Sequence, residues 1–195
     1  MRQIHPHESS PAPRCDSGTQ GRVAHPARWY ALRTRSRFEA KVSDALRAEG
    51  FESFLPTFTE SVRWSDRFES VERPLFAGYL FARFDRFRDG SKVLTITGCI
   101  QILGHTETDS IPDDVIAALR LVVEHPAPVV RCPYVAGTSQ VRVLRGPFAG
   151  CAGIVSRIKG QTLLTIPVEI LGRSVSVQIE SYDVEPIKPA LPKAA

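Results

Sequence analysis

The chain has 195 residues, 43% hydrophobic and 24% charged, with 15 prolines, 13 glycines and a net charge of +4. That composition is globular, and the absence of any run of 18 apolar residues excludes a membrane-spanning helix. Four scattered cysteines, Cys15, Cys99, Cys132 and Cys151, form no closely spaced pair, so a zinc site, a redox motif and a disulfide framework are not expected and the thiols read as free. The charge is uneven: residues 68–130 are net −3 and residues 131–195 net +4, too sparse for a high-density polyanion binder.

In chain order, residues 1–27 carry Pro6, Pro11, Pro13 and Pro26 with few apolar residues, and read as a disordered leader. The first residues lack the apolar stretch of a secretory signal, which makes the cytoplasm the expected compartment. Trp29–Thr34 reads as a strand. Ser36 and Glu39 fit a capping box for a helix over 37–49, with Phe38, Val42, Ala45 and Leu46 as its apolar stripe and Gly50 as its stop.

Glu52–Pro56 is a second short strand. Residues 58–73 read as a charged, protruding hairpin, with Val62 and Trp64 facing Phe68 and Val71 across a turn at Ser65-Asp66. Gly78–Phe84 is the most informative strand. Leu80, Ala82 and Phe84 alternate with Tyr79, Phe81 and Arg83, so both faces are largely apolar. Residues 86–95 leave a short helix open, Cys99–Leu103 is a strand, and Pro112 opens a helix with Val115, Ala118, Leu119 and Val122 on one face.

Pro126 and Pro128 end that helix and begin a linker over 126–136. From 137 to 187 the pattern becomes short β-branched strands separated by turns at Gly146-Pro147, Lys159-Gly160, Gly172 and 181–183, which argues a small barrel. Residues 188–195 read as a tail. The fold class is α+β: an α/β sandwich on an antiparallel sheet over 28–125, followed by an all-β barrel.

Trp29-Tyr30-Ala31-Leu32, the helix after it and Pro74-Leu75-Phe76-Ala77-Gly78-Tyr79-Leu80-Phe81 resemble the N-terminal domain of NusG-type transcription elongation factors. Val141-Arg142-Val143-Leu144-Arg145-Gly146-Pro147-Phe148-Ala149-Gly150-Cys151-Ala152-Gly153 resembles their C-terminal KOW motif. Within that family, Arg63-Trp64-Ser65-Asp66-Arg67 followed by Pro74-Leu75-Phe76 is most similar to the specialised UpxY-type antiterminators, which serve particular operons such as surface polysaccharide clusters.

The resemblance implies a non-enzymatic factor without cofactor or metal, whose N-terminal domain sits on RNA polymerase and suppresses pausing or termination. It implies an SH3-like KOW barrel that recruits the termination factor Rho or a ribosomal protein. By the same match, Phe76, Tyr79 and Phe81 are the polymerase contacts. On the residues alone, all three become core if helices cover both faces of their strand. Arg33, Arg35, Arg37 and Lys41 are matched to the region that meets the non-template DNA strand, against the alternative of a solvated helix face with Glu39 as partner. Asp89-Gly90-Ser91 aligns with a second polymerase contact or is a simple loop. Arg145, Gly146, Pro147 and Phe148 are matched to the barrel's partner loop, unless Phe148 plugs the barrel end. Other readings are a housekeeping NusG acting with Rho and a KOW-type RNA-binding or ribosome-associated protein. A monomer is the default. Valine, isoleucine and threonine in the last region disfavour a helical form, so a constitutive barrel is expected.

Overall fold

The computed structural model describes residues 25–64, 67–125, 129–133, 140–158, 161–179 and 184–187. The N-terminal unit is built on strands β1 (Arg28–Thr34), β2 (Glu52–Phe54), β5 (Tyr79–Phe84) and β6 (Cys99–Ile102), in the order β2-β5-β1-β6. All pairings are antiparallel, with Leu32 opposite Leu80 and Ala31 opposite Phe81.

Alternation along β1 and β5 sorts their side chains into two cores. Tyr30, Leu32, Leu80, Ala82 and Phe84 meet Val42 and Leu46 of helix α1 (Glu39–Ala48) and Val93 of helix α2 (Arg86–Thr95). Trp29, Ala31 and Phe81 face Ile116, Leu119 and Val122 of helix α3 (Asp113–Glu124) on the other side. The two-faced strand therefore has helices over both faces.

The caps differ from expectation in one place. Helix α1 begins at Glu39, and Phe38 at its N-cap supplies no side-chain hydrogen bond, so Ser36 and Glu39 do not form a capping box. Arg37 takes a left-handed backbone (φ 64°) that breaks the register between them. Glu39 is instead buried and accepts the Gly78 N–H at 2.8 Å, tying the helix start to the entry of β5. The stop is as expected, with Gly50 at φ +83° just past the helix. Residues 86–95 resolve into helix α2, capped by Asp85, whose carboxylate accepts from the N–H groups of Phe87 (3.0 Å) and Arg88 (3.1 Å). Asp85→Ala is expected to lower stability by about 1 kcal/mol, read as a lower urea midpoint with an unchanged slope.

Strands β3 (Thr57–Trp64) and β4 (Arg67–Pro74) pair only with each other, as the charged composition predicts for a hairpin outside the main sheet. Their register corrects the expected facing pairs: Val62 opposes Glu69, Arg63 opposes Phe68 and Glu60 opposes Val71. The residues of the turn itself, 65–66, lie outside the described residues, as do the leader at 1–24 and the tail at 188–195.

The C-terminal unit is one six-stranded antiparallel sheet. Its strands are β7 (Val129–Pro133), β8 (Gln140–Val143), β9 (Ala152–Ile158), β10 (Gln161–Val168), β11 (Arg173–Ile179) and β12 (Val184–Pro186). Their order is β12-β8-β9-β10-β11-β7. Strands β8 to β11 are the four that the alternating pattern predicts, and β12 is a fifth, three-residue strand past the expected turn at 181–183. Val141, Val143, Leu164, Ile166, Val175 and Val177 are buried in the sheet. Gly153 is required by close approach, because a Cβ there would stand 2.6 Å from the Thr165 carbonyl oxygen on β10. Strand β7 falls inside the stretch expected to be linker.

No helix among the described residues is long and apolar enough to cross a membrane.

Candidate partner-binding site

The three aromatic residues near the start of β5 have different fates. Phe81 is 0% and Phe76 2% exposed, with their rings in a T-shaped contact (centroids 5.9 Å apart) and Phe54 stacked against Phe81 at 6.1 Å. Neither can touch a partner in this arrangement, because α3 roofs the face of the sheet onto which they project. This corrects the outward placement expected for them. Tyr79 is half-buried, packed at the edge of the same cluster with Phe54 and Phe58.

What lies over Tyr79 comes from the other unit. The guanidinium of Arg173, at the start of β11, sits over the Tyr79 ring at 5.1 Å from its centroid. A second contact crosses at the far end of α3, where the ring of His125 meets that of Phe148 at 5.7 Å. The apolar cluster around α3 is continuous with that of the barrel, running from Phe81 and Leu119 to Phe148 and Leu164. Between the first turn of α3 and strands β9 and β10 the two units leave a cavity of about 430 Å³, with Ile111, Val115, Ile154 and Val168 among its lining residues.

The barrel loop presents some of its expected residues and hides one. Gly146 turns at φ +86°, and Arg145, Gly146 and Pro147 are exposed. Phe148 is only 3% exposed and belongs to the core, so its expected display at the loop tip is corrected to the plugging alternative. Leu144, 53% exposed beside Arg145, is the apolar side chain that the loop does show. Neither Leu144 nor Arg173 carries a pattern signal: each sits where the alternation of a barrel strand ends, and only the packing shows which way it points.

Arg33, Arg35, Arg37 and Lys41 are all exposed around the β1–α1 turn. Lys41 Nζ lies 5.2 Å from the Phe38 ring centroid, and Arg35 anchors the turn by donating its backbone N–H to the Gly98 carbonyl. Glu39 faces Gly78 rather than these cations, which leaves the cluster without the intrahelical partner weighed for it. Asp89-Gly90-Ser91 is not a loop but the middle of α2. There Asp89 pairs with Arg88 at 2.9 Å, and that hydrogen bond holds its carboxyl below the usual range. Gly90 faces Ile102 on β6.

Burial pushes the thiols of Cys99 and Cys151 above their ordinary pKa, which disfavours the reactive thiolate. Among the described residues no cluster of three His, Cys, Asp or Glu side chains is placed to hold a metal ion.

Residues 27–120 match the family model described as transcription termination factor nusG. The transcription termination/antitermination protein NusG of Vibrio parahaemolyticus is 30% identical over 175 residues, covering 81% of this chain and 94% of that protein. The chain belongs to the NusG family. The NusG of Deinococcus radiodurans is 28% identical over 187 residues, covering 80% of this chain and 97% of that one. A solved structure titled "Domain interaction in Thermotoga maritima NusG" covers 83% of this chain and 98% of its own, at 19% identity and a TM-score of 0.47. This chain is thus a NusG-like transcription termination/antitermination factor, with an N-terminal α/β unit and a C-terminal all-β unit.

Proposed function

We propose that this NusG-family chain is a specialised antitermination factor of the UpxY type. It binds RNA polymerase through the N-terminal face around Tyr79, acts at particular operons such as surface polysaccharide clusters, and performs no catalysis. The observation that supports the polymerase contact is the position of Tyr79: a half-buried aromatic ring packed at the edge of an apolar cluster and covered by Arg173 from the C-terminal unit. A surface of that kind offers an aromatic anchor once the barrel moves aside. Arg33, Arg35, Arg37 and Lys41, exposed and clustered, suit phosphate contacts to the non-template strand. Leu144, Arg145, Gly146 and Pro147 form the barrel's accessible loop for a ribosomal protein or Rho, with Phe148 supporting them from within. The chain acts as a monomer in the cytoplasm.

The test is transcription by the cognate polymerase on templates that carry a terminator behind a polysaccharide-operon leader or behind an unrelated leader. Read-through raised only on the first template, without Rho, supports the proposal. The relatives' names favour a second reading, a housekeeping NusG. It predicts equal effects on both templates and Rho-dependent termination. Failure to bind any elongation complex would overturn both.

A further inference from the structure

The cavity between the two units is used neither by the Tyr79 face nor by the cations of the β1–α1 turn. Its volume of about 430 Å³ falls within the roughly 300–1,000 Å³ of small-molecule sites, which favour the meeting of two domains. The first turn of α3 and the segment before it form one wall; strands β9 and β10 and the turn after β10 form the other. Ile111, Val115, Ile154, Val168 and Ile170 supply the apolar lining. Val115 and Ile170 are only half-buried, so part of their surface is left to whatever fills the space.

Three acids line the same space, and among the described residues no lysine, arginine or histidine does. Asp109 precedes α3, Asp114 stands in its first turn and Glu169 follows β10. Asp109 Oδ2 accepts the N–H groups of Thr106 (2.8 Å) and His105 (2.6 Å) and the Thr106 hydroxyl (3.0 Å). Those bonds hold its carboxyl below the usual range, so it is ionised at neutral pH. The positive end of α3 alone would favour an anion, but Asp113 and Asp114 in its first turn offset it. The charge of the lining therefore selects a cation, and its apolar surface selects one that carries hydrocarbon.

The spread of the charges narrows the class further. The carboxylates come from three separate segments, and among the described residues no three acids, histidines or cysteines are placed to hold one metal ion. A compact cation meets one of them at a time. No aromatic ring lines the cavity, so it lacks the cage that recognises a quaternary ammonium group. Charges set apart around an apolar floor match a chain of methylenes that carries several ammonium groups.

We propose that this cavity binds an aliphatic polyamine, with its methylenes on Ile111, Val115 and Val168 and its ammonium groups paired with Asp109, Asp114 and Glu169. Asp114 and Glu169 are exposed, so the ammonium groups at the mouth keep water on their remaining donors and avoid the cost of full desolvation. The inference is independent of the polymerase reading, and its test needs no polymerase.

The probe is spermidine, titrated into the full chain labelled at its isoleucine and valine methyl groups and followed by NMR. The salt is about 0.15 M, where a screening length of about 8 Å suppresses diffuse attraction to the acidic surface. Shifts are expected at Ile111, Val115, Ile154, Val168 and Ile170, saturating with one Kd, while Val42 and Val93 in the opposite core stay unmoved. An Asp114→Asn/Glu169→Gln variant, changed at two exposed positions, is expected to bind about tenfold more weakly. Should that variant fail to fold, Glu169→Gln alone carries the comparison, with about a threefold loss expected. Magnesium ion at equal charge is expected to leave the five residues unmoved. The proposal is overturned by absent shifts, by shifts scattered over the molecule, by a Kd unchanged in the folded variant, or by magnesium reproducing the pattern. A trilysine peptide that binds more tightly than spermidine overturns it in favour of a protein segment.

Discussion

Phe81→Ala is expected to destabilise the protein by about 3–5 kcal/mol, the range for deleting a large aromatic side chain from a closed core. The ring is 0% exposed, with Phe54 stacked on one side and Phe76 edge-on on the other, under the apolar face of α3. Phe76, in the turn between β4 and β5, is the one neighbour outside a helix or strand, and that turn is held by hydrogen bonds. The Tyr79 N–H donates to the Phe76 carbonyl, and Leu119 is fixed mid-helix. The measurement is urea denaturation followed by tryptophan fluorescence, since Trp29 lies in the same cluster. A loss under 1 kcal/mol would mean that the ring is not enclosed as described, and would return Phe81 to the list of candidate partner contacts.

Tyr79→Ala is expected to do the opposite: little to stability, much to association. Its ring is half-buried at the edge of the cluster and lies under Arg173, so truncation removes one cation–π contact of about 0.5–1 kcal/mol and only part of the packing that Phe81→Ala destroys. In binding to a transcription elongation complex, loss of an aromatic anchor costs about 2 kcal/mol or more, roughly a thirtyfold weaker Kd. A fluorescence-anisotropy titration of labelled wild type and variant against the assembled complex reads this directly. Arg173→Ala is the control, because it uncovers Tyr79 without altering it, and its affinity should be equal to wild type or tighter. Binding unchanged by Tyr79→Ala would move the contact away from this face while leaving the family assignment intact.

The sequence made the elements legible where one period dominates. Alternation in Leu80, Ala82 and Phe84 against Tyr79 and Phe81 announced a strand with two apolar faces, and α3 carries the stripe that its apolar spacing predicts. It was less informative where two local rules compete. Ser36-x-x-Glu39 has the composition of a capping box, but the tertiary bond from Gly78 to Glu39 outweighs the local one. In residues 86–95, glycine and charged residues dilute the helical stripe, and the Asp85 cap decides the outcome. Val129–Pro133 lies between prolines and reads as linker, because nothing local signals a pairing with residues some forty positions ahead. The candidate site was legible as a set of residue types and not as an exposure. Phe76, Tyr79 and Phe81 look alike in sequence, and only the placement of α3 and the barrel separates core rings from an edge ring.

The Arg173–Tyr79 and His125–Phe148 contacts lie on one boundary between the two units, so on the proposed function a ligand that needs Tyr79 bare is coupled to one that needs Phe148 released. Two molecules that each require the boundary to part do not bind independently. The first to arrive supplies the free energy of separation, and the second meets a surface already open. By linkage the effect is reciprocal, each raising the other's affinity by the same factor. The apparent affinity of either alone is its intrinsic affinity scaled by the fraction of molecules already parted. On the proposed function, two such ligands arriving together would draw a stronger response than either alone.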